Sequence, residues 1–356
     1  MFKPPRCPHP SCPRHRDPRP GFCWRHGSYR PKCRPRPVPR FRCRTCGRTF
    51  SRQTFRADYR DHRPDLNAPL FTLLACGIGL RQSARTLGLS LRCTELKFRK
   101  IARHLRDLNL NLRGPIRGLA GVAVLQFDEF ETFEGCRNTR PLTVPMLIDT
   151  KSRFIVWSES APIRPRGKMT PARLERIRRH EAESGPRRDE SRRAIRRTLA
   201  RGKALVKGCR RVVLATDEKL CYRGFAREAF GAERLEHRRT SSKLARRTWN
   251  PLFPINHTEA MARDLCGRLR RRSWLASKEG WCLDLGLQLF AAYRNLVRRR
   301  FNHDSSSPAQ LLGFVERRMT ARECLTWRQD WGPRSPHPLG DGRRTVGEVS
   351  RTRRAA

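Results

Sequence analysis

The chain has 356 residues, with 79 lysines and arginines against 32 aspartates and glutamates, which gives a formal net charge of +47. Such an excess of positive charge opposes folding unless a polyanion neutralises it. Nucleic acid is the usual polyanion, so a small-molecule enzyme is disfavoured. Hydrophobic residues make up 37% of the chain, enough for folded cores, which excludes a disordered basic tail. The length predicts about two or three domains.

The sequence has no run of roughly 18 apolar residues, the length that a membrane span requires, and its first residues lack the apolar stretch of a secretory signal. We therefore predict no membrane partner and a cytoplasmic location. Disulfides are rare in reducing compartments, so the 14 cysteines require another explanation. Metal binding is the first candidate.

Residues 1–55 form a module rich in cysteine, proline and arginine, with two closely spaced cysteine pairs. Four residues separate Cys7 from Cys12, and two residues separate Cys43 from Cys46. Two such pairs can supply four thiolates to a tetrahedral Zn²⁺, which also contributes folding energy. We therefore predict a zinc-ribbon-like module with one structural zinc site.

The set of zinc ligands stays open at this point. Cys23 and Cys33 have no closely spaced partner, and some cysteines of the module could be incidental. Three histidines are alternative ligands: His9, His15 and His26. If zinc is structural, we expect it to position four arginines against phosphate: Arg40, Arg42, Arg44 and Arg48.

Residues 66–112 have the apolar periodicity of helices, interrupted by a turn at Gly88, Leu89 and Ser90. Ser90 can cap the second helix, and the spacing is typical of a helix-turn-helix. We expect a separate small unit whose exposed side carries Thr94, Lys97 and Lys100. The candidate DNA contacts are basic: Arg81, Arg85, Arg92, Lys97 and Lys100. A basic helical hairpin that only packs on the next domain is the alternative.

Three consecutive strand-like runs follow and predict an antiparallel meander, at 121–133, 141–150 and 153–160. The Arg-rich segment at about 162–208 predicts one or two surface helices, as an insertion or a DNA-facing arm. Another strand is expected at 210–219. Helices are then expected at three places: around 225–232, from Thr258 toward Ser277, and at about 283–297. Residues 326–356 are expected to be disordered.

Two aspartates, Asp128 and Asp217, each end an apolar strand in a chain that is otherwise strongly basic. If those strands are neighbours, both carboxylates project from one edge of a sheet. Paired carboxylates of this kind hold Mg²⁺, and two ions about 4 Å apart can serve phosphodiester chemistry. Glu259, in the expected first turn of the helix that starts at Thr258, is the candidate third carboxylate. Arg263, Arg270 and Arg271 are expected to hold DNA phosphates nearby.

Other acids compete with this set. Simple alternation places Glu129 and Glu131 on the face opposite Asp128. Asp264 is five positions from Glu259, so the two diverge on a regular helix. The alternative to a catalytic site is that both aspartates are turn residues and that Glu259 complements a helix dipole.

The order of cysteine pairs, helix-turn-helix, two strand-end aspartates and a helical glutamate resembles that of DDE-type bacterial insertion-sequence transposases. The resemblance covers roughly residues 7–312. The segments that carry it are FRCRTCGRTFSRQTF, LQFDEFETFE with PLTVPMLID, VLATDEKLCY, and NHTEAMARD with RLRRRSWLASK and AAYRNLVRRRFN.

The resemblance implies an α/β fold with a ribonuclease-H-like catalytic core at 119–315, a mixed sheet flanked by helices, after the zinc ribbon and helix-turn-helix. Asp128 matches the first acid of the family's triad and Asp217 the second. The third position is open among Glu259, Asp264 and Asn256, and the last of these would favour an inactive copy.

The activity that the resemblance implies is cleavage and transfer of DNA strands with two Mg²⁺ or Mn²⁺ ions. The expected partners are double-stranded DNA, as element ends and as target, and further copies of the chain on that DNA. The expected location is the bacterial nucleoid within the cytoplasm. A non-catalytic DNA-binding protein is the alternative function.

Overall fold

The computed structural model describes residues 2–31, 36–112, 121–270 and 274–326. Three predictions lie outside these ranges: Cys33, one of the two cysteines without a closely spaced partner, the DNA contact at Arg271, and nearly all of the tail at 326–356. No helix in the described ranges is long and apolar enough to cross a membrane.

The amino-terminal module contains a short helix and a three-stranded antiparallel sheet: α1 (Pro13–Arg16), β1 (Cys23–Tyr29), β2 (Val38–Cys43) and β3 (Thr49–Ser51). Phe22, Phe50 and Phe55 are buried between the strands and the following 3₁₀ turn, together with the cysteines. The module thus has a small core of its own, distinct from the clusters of the larger sheet.

Three helices follow: α2 (Asn67–Ala75), α3 (Leu80–Thr86) and α4 (Leu91–Asn111). The Ser90 hydroxyl accepts a hydrogen bond from the N–H of Cys93 at 3.2 Å, so the predicted cap is confirmed. The expectation of a separate unit is wrong, because Phe71 and Ile101 belong to the same buried cluster as Leu125 of the central sheet. The apolar stripe of α4 faces this shared core.

The central sheet is mixed, and its strands are β4 (Val122–Phe133), β5 (Pro141–Asp149), β6 (Ile155–Ser158), β7 (Ala161–Pro162), β8 (Arg211–Thr216) and β9 (Leu235–Arg239). The strand order is β6-β5-β4-β8-β9, with β7 paired to β5. The first three strands are antiparallel, which confirms the predicted meander. β8 and β9 run parallel to β4. Every residue of β5 is buried, which explains its nearly continuous apolar sequence.

The Arg-rich segment contains α5 (Pro171–Ser184) and α6 (Ser191–Ala200). No residue of α5 is buried, as expected for a surface helix. α6 is different, because Ala194, Ile195 and Leu199 form an apolar stripe at helical spacing that packs into the core. The expectation of a surface arm is therefore right for α5 and wrong for α6.

Helices cover both faces of the sheet, and the remaining ones are α7 (Cys221–Phe230), α8 (Phe253–Leu265), α9 (Gly280–Ala292), α10 (Pro308–Leu311) and α11 (Ala321–Thr326). α6 and α7 pack with Leu125 and Phe127 of β4 on one face. α8 and much of α9 pack with Phe130 of β4 and with Val144 of β5 on the other. The mixed sheet flanked by helices agrees with the predicted α/β core.

Candidate functional site

Asp128 and Asp217 lie at the same height on neighbouring strands. The parallel register pairs Gln126 with Ala215, so two residues further along each strand Asp128 stands beside Asp217. Asp217 follows the last residue of β8, as predicted. Asp128 does not end its strand, because antiparallel pairing with β5 extends β4 to Phe133. Asp128 instead marks the point at which β4 loses its parallel neighbour.

Gln126 attaches the start of α8 to the Asp128 face of the sheet. Its side-chain amide donates to the carbonyl oxygen of Pro251 at 2.7 Å and accepts from the N–H of Ile255 at 3.0 Å. Four residues along β4, Phe130 lies beneath the Arg263 guanidinium, with 5.1 Å between that group and the ring centroid. α8 therefore runs along β4 from Gln126 to Phe130.

Glu259 lies midway along this contact. Ile255, Glu259 and Arg263 are four positions apart, so they share one side of α8. Eight helical residues rise about 12 Å, which matches the roughly 13 Å that four strand residues span. Gln126, Asp128 and Phe130 alternate onto one face of β4, so the helix places Glu259 over Asp128.

The helix boundaries differ from the predicted ones. α8 begins at Phe253, with Pro254 in its first turn, where the missing N–H is not needed. Thr258 is an interior residue whose hydroxyl donates to the carbonyl oxygen of Pro254 at 2.9 Å, rather than a cap. The helix ends at Leu265 instead of continuing toward Ser277, so Glu259 occupies its middle and not its first turn.

Asp128 and Glu259 are buried and Asp217 is partly buried, and the charges of these carboxylates repel one another. Burial, and then the charge of Asp217, raises the pKa of Asp128 to about 6, against the opposing effect of the hydrogen bond from the N–H of Glu129. Glu259 is 4% exposed. Burial, and then the charge of Asp128, raises the pKa of Glu259 well above its ordinary value. A cation between these groups would relieve the repulsion.

The donor set fits a divalent cation such as Mg²⁺ or Mn²⁺. Carboxylate oxygens are the ligands that these ions prefer, and the Oε1 atom of Glu259 is buried with no hydrogen-bond partner among the described residues. Within the described ranges only the cysteine group has all its ligand atoms within 4.8 Å of one another, so the carboxylates are more widely spread. Arg246 and Arg263 are close enough to lower the pKa of Glu259.

The competing acids lie elsewhere. Asp264 is exposed, and its backbone carbonyl accepts from Arg270. Glu131 points outward and pairs with Arg166 at 3.8 Å. Asn256 is only partly buried, and three residues before Glu259 it faces about 60° away from Glu259 around α8. The geometry thus favours Glu259 among the three residues left open for the third position.

Glu129 points to the opposite face, as alternation predicted. Its carboxylate accepts from the Tyr222 hydroxyl at 2.6 Å, from the Thr143 hydroxyl at 2.8 Å and from the Lys219 ammonium. Phe127 shares that face and contacts the Tyr222 ring, with 5.0 Å between centroids. The supporting roles of Gln126, Lys219 and Arg246 were not predicted, since only the tertiary fold brings them to the site.

The four predicted zinc ligands converge. The sulfur atoms of Cys7, Cys12, Cys43 and Cys46 all lie within 4.8 Å of one another. Cys7 and Cys46 are 3.6 Å apart, and Cys12 and Cys43 are 3.8 Å apart. Gly47 has a φ of 68° and donates its N–H to the carbonyl oxygen of Cys43, which closes the second pair into a tight turn. This group is compatible with a zinc ribbon.

The cysteine group is also chemically suited to a soft cation. Burial raises the pKa of Cys7, whereas the N–H groups of Cys46 and Thr45 overcome the effect of burial and lower the pKa of Cys43 to about 7. Cys23 and the three histidines are outside the group of four. The His15 ring is hydrogen-bonded to the carbonyl oxygen of Cys7 at 2.8 Å.

Two of the expected exposed donors on α4 are buried. Thr94 is completely buried and donates its hydroxyl to the carbonyl oxygen of Ser90. Lys97 is 2% exposed and pairs with Asp61 at 3.0 Å. The prediction that Lys97 contacts DNA is therefore wrong, because residues upstream of α2 cover this side of the helix. Lys100 is partly exposed and donates to the carbonyl oxygen of Tyr59.

The other basic candidates differ in exposure. Arg81, Arg85 and Arg92 are exposed, as a DNA contact requires. Arg263 is partly buried over Phe130 beside the carboxylates. Arg270 is exposed but its guanidinium donates to the backbone of Asp264.

Comparisons with known proteins add little. No protein-family description matches the sequence, and no curated protein matches it. A solved structure described as the catalytic domain of Mos1 mariner transposase is similar, with 12% sequence identity and a TM-score of 0.22, over 65% of this chain and 94% of that chain.

Proposed function

We propose that the protein is a DDE-type transposase that binds the terminal inverted repeats of an insertion sequence and catalyses metal-dependent cleavage and transfer of DNA strands. One observation carries the proposal. Asp128 lies in β4, Asp217 follows β8 and Glu259 lies in α8, and the charges of both aspartates raise the pKa of Glu259, in a chain whose net charge is +47.

The alternative explanations of these acids account for less. Glu259 is the seventh residue of α8, too far from the helix start to complement the dipole. Asp128 lies inside a strand and not in a turn. Burying carboxylates that repel one another destabilises the fold, so a role for them in binding a cation explains their positions better.

The proposed site needs no side-chain nucleophile, because water or a DNA 3′-hydroxyl attacks the phosphodiester. Bound Mg²⁺ or Mn²⁺ ions would activate the attacking oxygen and stabilise charge on the leaving one. Asp128, Asp217 and Glu259 would hold the ions, and burial would keep the carboxylates in place. Arg246 and Arg263, beside Glu259, would bind the phosphates that flank the reacting one.

DNA recognition would fall to the amino-terminal half of the chain. We propose that Zn²⁺ holds the cysteine module in shape, and that a face of this module binds DNA. Arg42 and Arg44 lie over the ring of the partly exposed Trp24, at 5.8 and 5.2 Å from its centroid. The exposed arginines of the helical segment, Arg81, Arg85 and Arg92, would contact the terminal repeats, with further copies of the chain on the same DNA.

A cleavage assay tests the proposed activity. The substrate is a supercoiled plasmid with the DNA that flanks the coding region, incubated with Mg²⁺ and either the wild type, Asp128→Ala or Asp217→Ala. We expect nicks or breaks at the element ends with the wild type alone. Binding of the ends without cleavage by any of the three proteins would contradict the enzymatic proposal and favour a non-catalytic DNA-binding protein.

A further inference from the structure

A second feature lies at the end of α9, outside the carboxylate site. The chain leaves α9 through a wide turn, Tyr293–Val297, in which the N–H of Arg298 donates to the carbonyl oxygen of Tyr293 at 2.9 Å. Asn295 is buried and bonds to both backbone groups of Ile155, which fixes the turn to β6. Three consecutive arginines follow on this rigid support.

Arg294 organises that run of arginines. Its side chain is completely buried, and the guanidinium donates to the carbonyl oxygens of Arg299 at 2.9 Å and Arg300 at 2.7 Å. These acceptors are neutral, so the charge of Arg294 stays uncompensated. The Nε atom of Arg294 is buried with no hydrogen-bond partner in the described part of the chain.

Two other segments bring more guanidinium groups to the same place. Arg153 lies in the turn between β5 and β6 with a φ of 64°, and its guanidinium is 5.6 Å from the centroid of the Phe301 ring. The N–H of Met319 donates to the carbonyl oxygen of Leu296 at 2.9 Å, which brings Arg318 to the end of α9.

Carboxylates are scarce around this cluster. Asp304 pairs with Arg300 at 2.6 Å, and the Asp149 carboxylate accepts from Ser152 instead of an arginine. Arg298, Arg299 and Arg318 have no carboxylate partner among the described residues. Burial, and then the neighbouring arginines, lowers the pKa of Arg294 to about 10. The cluster therefore has a net positive charge.

The three arginines without a carboxylate partner among the described residues border an open cavity of about 350 Å³, whose lining in the described part of the chain is Tyr293, Val297, Arg298, Arg299, Asn302 and Arg318. Apart from Val297, every lining side chain offers a hydrogen-bond donor, and none is acidic. Guanidinium groups bind the oxygens of phosphate in a bidentate manner. Arg299, Asn302 and Arg318 are exposed, so a strand can cross the cavity without entering the protein.

We propose that this cavity, the α9-end arginine pocket, binds successive backbone phosphates of DNA outside the reacting segment. The inference rests on the proposed function. The β5–β6 turn lies close to the start of β4, because the N–H of Thr150 donates to the carbonyl oxygen of Val124. Val124 precedes Asp128 by four residues, which span about 13 Å along β4. The pocket is thus a separate anchor for the same DNA. The pocket lies near the β5–β6 turn, beyond the start of β4, and is therefore away from the carboxylates.

Salt-dependent DNA binding in buffer without Mg²⁺ or Mn²⁺, with zinc retained, tests the pocket without any cleavage step. The test variant is Arg298→Ala/Arg299→Ala/Arg318→Ala, measured with a labelled duplex that carries the element ends. The matched control is Arg193→Ala/Arg223→Ala/Arg227→Ala, which removes the same charge from exposed positions on α6 and α7, outside the lining of the pocket. Thermal unfolding checks that both variants are folded.

We expect the pocket variant to bind DNA at least about tenfold more weakly at 0.1 M salt, and its plot of log affinity against log salt to lose about 2–3 units of slope. The control variant should stay close to the wild type. Replacing the same three arginines with lysine should restore part of the affinity, since charge returns without bidentate geometry.

Two results would overturn the proposal. Equal loss of affinity in the pocket and control variants would show that only net charge matters. Unchanged DNA binding, combined with loss of the thermal stabilisation that inorganic phosphate gives the wild type, would show a site for a small anion instead of DNA. Because the assay contains no Mg²⁺ or Mn²⁺, failure of cleavage would leave this test intact, and failure of the pocket would leave the cleavage assay intact.

Discussion

The two candidate metal sites of this protein are built in opposite ways. The four cysteines belong to one small module with its own core, and their sulfur atoms lie within 4.8 Å of one another. The three carboxylates come from β4, the end of β8 and the middle of α8, and they are more widely spread. The first arrangement suits an ion that holds a fold together. The second leaves room for substrate between ligands that the fold already holds.

Loss of zinc should give the largest effect and should separate the two sites. Structural zinc contributes on the order of 10 kcal/mol to folding of small modules. We expect Cys43→Ser to unfold the cysteine module and to leave the central sheet folded, because the two have distinct cores. Metal analysis and limited proteolysis would measure this, with Cys23→Ser as the neighbouring control. Equal zinc content in both variants would contradict the assignment.

The second prediction concerns Lys97, a buried lysine whose ion-pair partner, Asp61, lies far away in the sequence. Lys97→Met leaves Asp61 without its buried partner and should lower the free energy of unfolding by about 3 kcal/mol. Arg92→Met, on an exposed position of the same helix, should change it by less than about 0.5 kcal/mol. Urea unfolding compares the two. Equal effects would mean that Lys97 is not the structural cation described above.

Replacing the buried carboxylate of Asp128 or Glu259 with an amide should stabilise the protein when Mg²⁺ is left out. Replacing a zinc-binding cysteine should have the opposite effect. Burial and mutual repulsion raise the pKa of both Asp128 and Glu259, so their ionised forms destabilise the fold at neutral pH. Without added Mg²⁺ and with zinc retained, we expect Asp128→Asn and Glu259→Gln to raise the free energy of unfolding by roughly 1–3 kcal/mol. Mg²⁺ should raise the melting temperature of the wild type and not that of the variants. Destabilisation by both variants would contradict this view of the site.

Asp284 is a buried carboxylate outside the proposed metal site, so it tests whether a raised pKa alone indicates metal binding. Burial raises its pKa to about 7, although it accepts hydrogen bonds from the N–H and hydroxyl of Ser160. The folded state therefore binds the proton more tightly than the unfolded state, and this stability is lost as pH rises from about 4 to 7. The advantage of Asp284→Asn over the wild type should grow by about 1–2 kcal/mol between pH 5 and pH 8.

Mg²⁺ should not change the difference in stability between Asp284→Asn and the wild type. The Asp284 carboxylate accepts a hydrogen bond from Ser160 and does not belong to the proposed metal site. Melting temperatures of the two proteins across the pH range, with and without Mg²⁺, supply the measurement. A difference that is constant with pH would show that Asp284 stays ionised in the folded protein.

Much of the fold followed from local patterns. The cysteine spacings, the meander and the alternation that separates Asp128 from Glu129 need only neighbouring residues, and the structure has all three. The features that local patterns did not predict depend on contacts between residues far apart in the sequence. β4 continues past Asp128 because β5 pairs with it, and α8 begins five residues before Thr258 because Gln126 bonds to its first turn. Lys97 is buried because Asp61 and its neighbours fold over α4.

A comparison of variants at Glu259 and Asp264 tests the proposed carboxylate site most directly. Glu259→Gln and Asp264→Asn each replace one helical carboxylate with an amide of nearly the same shape, and only the first lies over Asp128. In the Mg²⁺-dependent cleavage assay we expect Glu259→Gln to reduce the rate by at least about 10²-fold, since metal-held charge stabilisation is lost, while Asp264→Asn stays near the wild type. Loss of cleavage with Asp264→Asn and retention with Glu259→Gln would contradict the proposed site.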